Sequence, residues 1–140
     1  MSKVISNILV IGSGITGSSI GNILRSKSNR LSVSIFDKGY SPGGRISTSF
    51  NKGKDKQIEL GMKYILPSYK TFCPIKSNMS YSQLLQNNLI RPSYLLDSKK
   101  LIYLPSRNYQ DLIDFINRDI HIHSKCKVHS INKENEQSKH

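Results

Sequence analysis

Three glycines, an aspartate and an arginine are the residues through which this chain could do chemistry. Gly12, Gly14 and Gly17 follow a G-x-G-x-x-G spacing, and Gly21 comes four residues later. In such a turn the first glycine takes a backbone conformation that a side chain forbids. The second lets a pyrophosphate reach the main chain, and the third lets a helix sit close on the strands. Free N–H groups at the helix start then meet phosphate charge. Asp37 stands where the next strand should end, and its carboxylate can accept hydrogen bonds from ribose hydroxyls; an arginine there would instead suit a 2′-phosphate. Asp37 lies somewhat beyond the ~20 residues usual for this acid, and the polar stretch from Ser26 to Arg30 absorbs the difference. Arg45, after Gly43-Gly44, carries a guanidinium that forks onto phosphate oxygens. An exposed arginine paired with a neighbouring carboxylate is the plainer role for it.

Positioning these groups requires a βαβ unit over residues 7–37. Ile8 to Ile11 is a continuous apolar run, as expected of a parallel strand buried on both faces. The helix is expected over Gly14 to Lys27, with Ile20, Ile23 and Leu24 as its packing face and Gly21 on the same face as Gly17. The second strand alternates Leu31, Val33 and Ile35 before Asp37. A lone glycine turn is weak evidence of a ligand. Here it has a strand before it, a helix after it and an acid closing the next strand, and together these indicate dinucleotide binding.

The segments that follow bear on which dinucleotide. Ser41-Pro42-Gly43-Gly44-Arg45-Ile46 comes directly after Asp37-Lys38, and Leu60-Gly61-Met62-Lys63-Tyr64 follows a polar hairpin. Together they resemble the FAD-binding half of the flavin amine oxidase superfamily, in which a D/E-K-x(n)-G-G-R segment and an L-G-x-x-Y segment occur in this order. Within it, VIGSGITG, FDKGYSPGGRISTSF, ELGMKYI, YSQLLQNNLIRP and CKVHSI are similar to renalase and its bacterial relatives. The resemblance spans nearly the whole chain, yet only the N-terminal part of a family whose members run much further. It implies an α/β, Rossmann-like FAD-binding βαβ domain with the start of a substrate-domain insertion, read as a partial chain.

The resemblance also implies a division of the chain. Residues 1–66 hold the FAD-binding core and the G-G-R segment, and 67–105 begin the substrate region. Residues 106–133 return to the FAD domain, and 134–140 form a polar tail. The implied cofactor contacts are Gly12, Gly14, Ile15, Thr16, Gly17, Asp37, Lys38, Gly43, Gly44, Arg45, Gly61, Met62, Tyr64 and Val128, the last through its backbone against the adenine. Lys63 is either a charge near the flavin or a solvent-facing lysine. The implied activity is hydride transfer from a reduced small molecule, a nicotinamide or an amine, to FAD, with reoxidation by oxygen. The glycine turn and the acid serve NAD as well as FAD; only the G-G-R and L-G-x-x-Y segments favour FAD. A non-catalytic dinucleotide-binding module is the alternative.

Elsewhere the patterns are structural. Ile46 to Phe50 and Gln57 to Leu60 read as a hairpin across the lysine-rich turn 52–56, with Glu59 a surface acid. Residues 67–78 have little periodicity. Ser80 to Asn88 reads as a helix capped by Ser80, with Leu84 and Leu85 facing in. Tyr94 to Leu96 and Leu101 to Leu104 form a second hairpin pattern. Ser106 to Arg118 is helical, with Tyr109, Leu112, Ile113 and Ile116 as its core face and Ser106 as its cap. Ile120 to His123 and Cys126 to Ile131 read as strands. His121 and His123 share a strand face at a spacing a metal could use, but no third ligand is evident.

Composition narrows the function classes. At 140 residues and 36% apolar content the chain makes one lean domain. No run of ~18 apolar residues marks a membrane span, and the first residues lack the layout of a signal peptide. Cys73 and Cys126 show no C-x-x-C spacing, so free thiols in the reducing cytoplasm are expected. The net charge of +12 and pI near 9.9 come from scattered lysines with no basic helix stripe. Salt-sensitive attraction to polyanions is expected, specific nucleic-acid recognition is not, and no membrane partner is expected.

Overall fold

The computed structural model describes residues 6–50, 57–67 and 80–133. In chain order the elements are β1 (Ser6–Ile11), α1 (Ile15–Lys27), β2 (Leu31–Phe36), a single 3₁₀ turn (Gly44–Ile46), β3 (Thr48–Phe50), β4 (Gln57–Glu59), α2 (Tyr81–Gln86), β5 (Ile90–Tyr94), β6 (Leu101–Pro105), α3 (Tyr109–Asn117) and β7 (His121–His123). Three strands form a parallel sheet in the order β1-β2-β7. Ser6 stands opposite Leu31 and Ile11 opposite Phe36, while Ser34 stands opposite His121. Two antiparallel hairpins, β3–β4 and β5–β6, lie apart from the sheet. The architecture is α/β and Rossmann-like, as expected from the glycine turn, the helix and the acid. No helix among the described residues is long and apolar enough to cross a membrane.

The central strand behaves as its pattern predicts, with Val33 and Ile35 buried. The first strand does not. Leu9 is 67% and Ile11 57% exposed, because side chains alternate along a strand and α1 packs on the Val10 face at Gly17, leaving the opposite face of β1 uncovered by the described residues. The expectation that Ile8 to Ile11 is covered on both faces is corrected accordingly. Helix α1 also packs differently from its apolar residues. Its buried positions are Ser18 and Gly21, whereas Ile20 is exposed. A Cβ on Gly21 would come within 3.1 Å of both Ile35 and Ile120, so the close approach of α1 to the sheet rests on small residues.

The main core lies on the far side of α1. Leu112, Ile113 and Ile116 of α3 are fully buried against Ile46, Leu84 and Ile90, with Ile15 and Ile23 of α1 at its margin. Tyr109 is also buried there, and burial together with the charge of Glu59 pushes its phenol up to about 12. The segment around Ile65 joins the second hairpin, since Ile65 and Tyr103 exchange two backbone hydrogen bonds of 2.8 Å.

Several local expectations change. Helix α3 is capped by Asn108, whose side chain accepts from the Asp111 N–H at 2.9 Å; Ser106 Oγ is buried without a partner. Asn108 wins because it stands immediately before the first helical residue. Ser80 does cap α2, accepting from the Gln83 N–H at 3.3 Å, but only Leu84 faces in and Leu85 is exposed. Two turns of helix leave room for one inward leucine. Strand β5 starts at Ile90 and includes Pro92, which a two-stranded ribbon tolerates at its open edge. Cys126 to Ile131 is irregular rather than a strand: among the described residues no strand pairs with it to supply a ladder. Glu59 is not a plain surface acid, since it accepts from Thr48 Oγ1 at 2.9 Å across β3–β4. The expectations for residues 1–5, the 52–56 turn, 68–78 including Cys73, and the tail from 134 lie outside the described residues.

Candidate dinucleotide site

The chain turns at Gly12 with φ +92°, a left-handed conformation that only glycine takes without strain, and the Gly12 N–H donates to the Phe36 carbonyl at 2.8 Å. Gly17 is required by contact. A Cβ there would overlap the Gly12 carbonyl oxygen, so helix and turn are pressed together at this point. Gly14 is the N-cap of α1, in extended conformation and with no side-chain capping bond. The first-turn N–H groups are therefore open to an acceptor from outside the helix. A Cβ on Gly14 would meet nothing nearer than the Gly43 oxygen at 4.0 Å. Its bareness is a demand not of the fold but of the space in front of it.

The Gly43-Gly44 segment closes one side of that space. Both residues have positive φ, +123° and +56°. Gly43 bridges to Gly14, and its N–H donates to the Ser13 carbonyl at 2.9 Å. The 3₁₀ turn then brings Arg45 round. Gly61 packs on the Arg45 backbone so tightly that a Cβ would overlap the Arg45 carbonyl oxygen. The result is a cleft of about 590 Å³ lined by Ile11, Gly12, Gly14, Ile15, Thr16, Gly17, Gly43, Arg45, Ile46, Gly61 and Met62. One wall is backbone and N–H groups, another is apolar. Arg45 is exposed and makes no ion pair with any described residue. Such a cleft suits a ligand with an anionic middle and flat or apolar ends.

Asp37 lies beside the turn rather than in the cleft lining. Its Oδ2 accepts from the Ser13 N–H at 2.5 Å and the Ser13 hydroxyl at 2.6 Å, and its Oδ1 accepts from the Gly39 N–H at 2.6 Å. Burial works to raise the carboxyl. The Ser13 hydroxyl, the two N–H groups and the charge of Lys38 outweigh it and hold the carboxyl below its ordinary value. The Asp37 backbone is tied to the end of β7, its N–H donating to the His123 carbonyl at 2.9 Å and its carbonyl accepting from Cys126 at 2.8 Å.

Of the residues implied by sequence, Gly12, Gly14, Ile15, Thr16, Gly17, Gly43, Arg45, Gly61 and Met62 are brought together around the cleft. Gly44 touches the Gly14 backbone just behind it. Lys38, Tyr64 and Val128 are not in its lining. Val128 is exposed in the irregular stretch after β7, where no ladder aims its backbone at a ligand.

Sequence reasoning passed over Ser13 and the groups behind it. Ser13 is fully buried, and its carbonyl accepts from Ser18 Oγ at 3.1 Å as well as from Gly43. Ser18 in turn accepts from Asn117 Nδ2 at 2.9 Å, at the far end of α3. Asn22 holds the same helix end by donating to the Ile116 carbonyl at 2.9 Å. The available signal was chemical: a partly buried carboxylate calls for donors, and Ser13 is the one hydroxyl within the G-x-G.

His121 and His123 meet edge to face at 4.3 Å, and His123 stacks on Phe36 at 4.3 Å. Among the described residues no group of three or more His, Cys, Asp or Glu could hold a metal ion.

Residues 10–73 match the family described as "NAD(P)-binding Rossmann-like domain". The chain is 28% identical over 99 residues to coproporphyrinogen III oxidase from Staphylococcus aureus, covering 71% of this chain and 21% of that protein. An oxidoreductase of known structure from Methanosarcina mazei aligns with 81% of this chain and 28% of its own, at 19% identity and a TM-score of 0.42. The chain thus spans about a fifth of the curated relative and just over a quarter of the solved one. What fold and family match share is a Rossmann-like domain of the dinucleotide-binding kind.

Proposed function

We propose that this chain binds FAD and forms the cofactor-holding part of a renalase-like flavin amine oxidase. The observation that carries this reading is the closure of Gly43-Gly44-Arg45 over the glycine turn, which adds a second phosphate-facing wall and a free guanidinium to an ordinary βαβ site. The open ground before Gly14 is the kind of cradle a pyrophosphate fills and a side chain would block. In this reading the α1 N-terminus and Arg45 take the phosphates, Asp37 takes the ribose, and Ile11, Ile46 and Met62 face the apolar parts of the ligand. Bound FAD would supply hydride acceptance from a reduced nicotinamide or amine, with reoxidation by oxygen. The chain's own part is to bind, orient and exclude water. The likeness to a protein named as an oxidase supports the redox class, and a cytoplasmic setting belongs to the same reading.

A second reading, a non-catalytic module for NAD, is favoured by the description of the matching family. Asp37 disfavours a 2′-phosphate in either case. Calorimetric titration with FAD, NAD and NADP separates them. FAD binding most tightly and NADP most weakly is the expected result. Binding of NAD without FAD would replace the first reading by the second.

A further inference from the structure

The ribose contact has an unusual constraint, and it rests on the dinucleotide reading above. A carboxylate offers about four lone-pair positions, two on each oxygen. Both positions on Oδ2 of Asp37 are filled from Ser13, by its N–H and its hydroxyl, and one on Oδ1 is filled by the Gly39 N–H. One position remains, on Oδ1.

Ser13 cannot readily release Oδ2. It is fully buried, and its carbonyl is held by Ser18 and Gly43. Turning it away would strand a buried N–H without an acceptor. Asp37 cannot shift its backbone either, being bonded to His123 on one side and Cys126 on the other. We propose that Asp37 grips a single ribose hydroxyl through Oδ1, and that Ser13 is the positioning residue that denies it the second.

Adenosine diphosphate and its 2′-deoxy and 3′-deoxy analogues test this by calorimetry on the full chain. The wild-type protein should bind one deoxy analogue about tenfold more weakly than ADP and the other as well as ADP. In Ser13→Ala the freed Oδ2 position should take the second hydroxyl, so that both analogues fall below ADP. A purely structural role for Ser13 would scale all three affinities alike. Equal losses with both analogues in the wild type, or with neither, would overturn the single-hydroxyl grip, as would an unchanged pattern in Ser13→Ala. Should that variant not fold, the wild-type pattern still decides the grip. Failure of ADP itself to bind the folded protein overturns the dinucleotide reading and this inference with it, and is distinguishable from failure of the inference alone.

Discussion

Helices α1 and α3 lie against each other and do opposite work. The buried side of α3 is large and apolar: Tyr109, Leu112, Ile113 and Ile116. The buried side of α1 is small: Ser18 and Gly21, with Gly17 pressed on the turn. Apolar volume holds the chain together, at about 1.5–3 kcal/mol for each large side chain removed from water. Small residues do little of that. They bring the helix start, its open N–H groups and the glycine turn to within reach of one ligand. The comparison teaches that stability and binding are drawn from separate residues here, so substitutions on the two helices should fail in different ways.

The largest loss should come from α3. Leu112→Ala removes a fully buried side chain and should cost about 2–5 kcal/mol in urea unfolding. Ligand affinity of the fraction still folded should be unchanged. Gly17→Ala should come next, because its new methyl must displace the Gly12 carbonyl. It should cost about 1–3 kcal/mol and weaken FAD binding as well, which unfolding and titration on the same sample would show. Ser18→Ala leaves Asn117 Nδ2 buried without its acceptor and should cost about 1–3 kcal/mol, with a smaller effect on affinity. If Leu112→Ala weakened binding in the folded protein as much as Gly17→Ala, the division between the helices would be wrong.

The smallest effect is electrostatic. Asp37 is held below its ordinary value in the fold, so the unfolded chain takes up a proton first as pH falls. Its contribution to stability is fully present above the unfolded carboxyl value near 3.9 and is lost as pH falls through the lower folded value. Asp37→Asn should flatten the acid limb of a stability-against-pH curve. An unchanged limb would remove Ser13 and Gly39 as the source of the shift.

Much of this was legible before the structure. The glycine spacing fixes a turn because each position has a separate steric demand, and the face of α3 repeats often enough to be unambiguous. An apolar run such as Ile8 to Ile11 says that a strand is buried or could be; which faces are covered is a property of the packing around the sheet, and Leu9 and Ile11 are exposed because α1 covers only the Val10 face. Likewise Ile20 looked like a packing residue, but close approach selects the smallest face of α1, not the most apolar. The CKVHSI stretch carries strand-forming residues and has no partner strand among the described residues. Ser13 was hidden for another reason. Its role depends on Asp37, 24 residues away, and only the folded turn brings the two together.

The central claim is that the bare ground before Gly14 exists for a ligand and not for the fold. Gly14→Ala tests it, since the added methyl meets only the Gly43 oxygen at 4.0 Å. The measurement is the visible absorption of wild type and variant after incubation with FAD and gel filtration, with thermal unfolding of each alongside. Flavin bands travelling with the wild type and lost from an equally stable variant are the predicted result. Equal flavin in both, or none in a folded wild type, would contradict it.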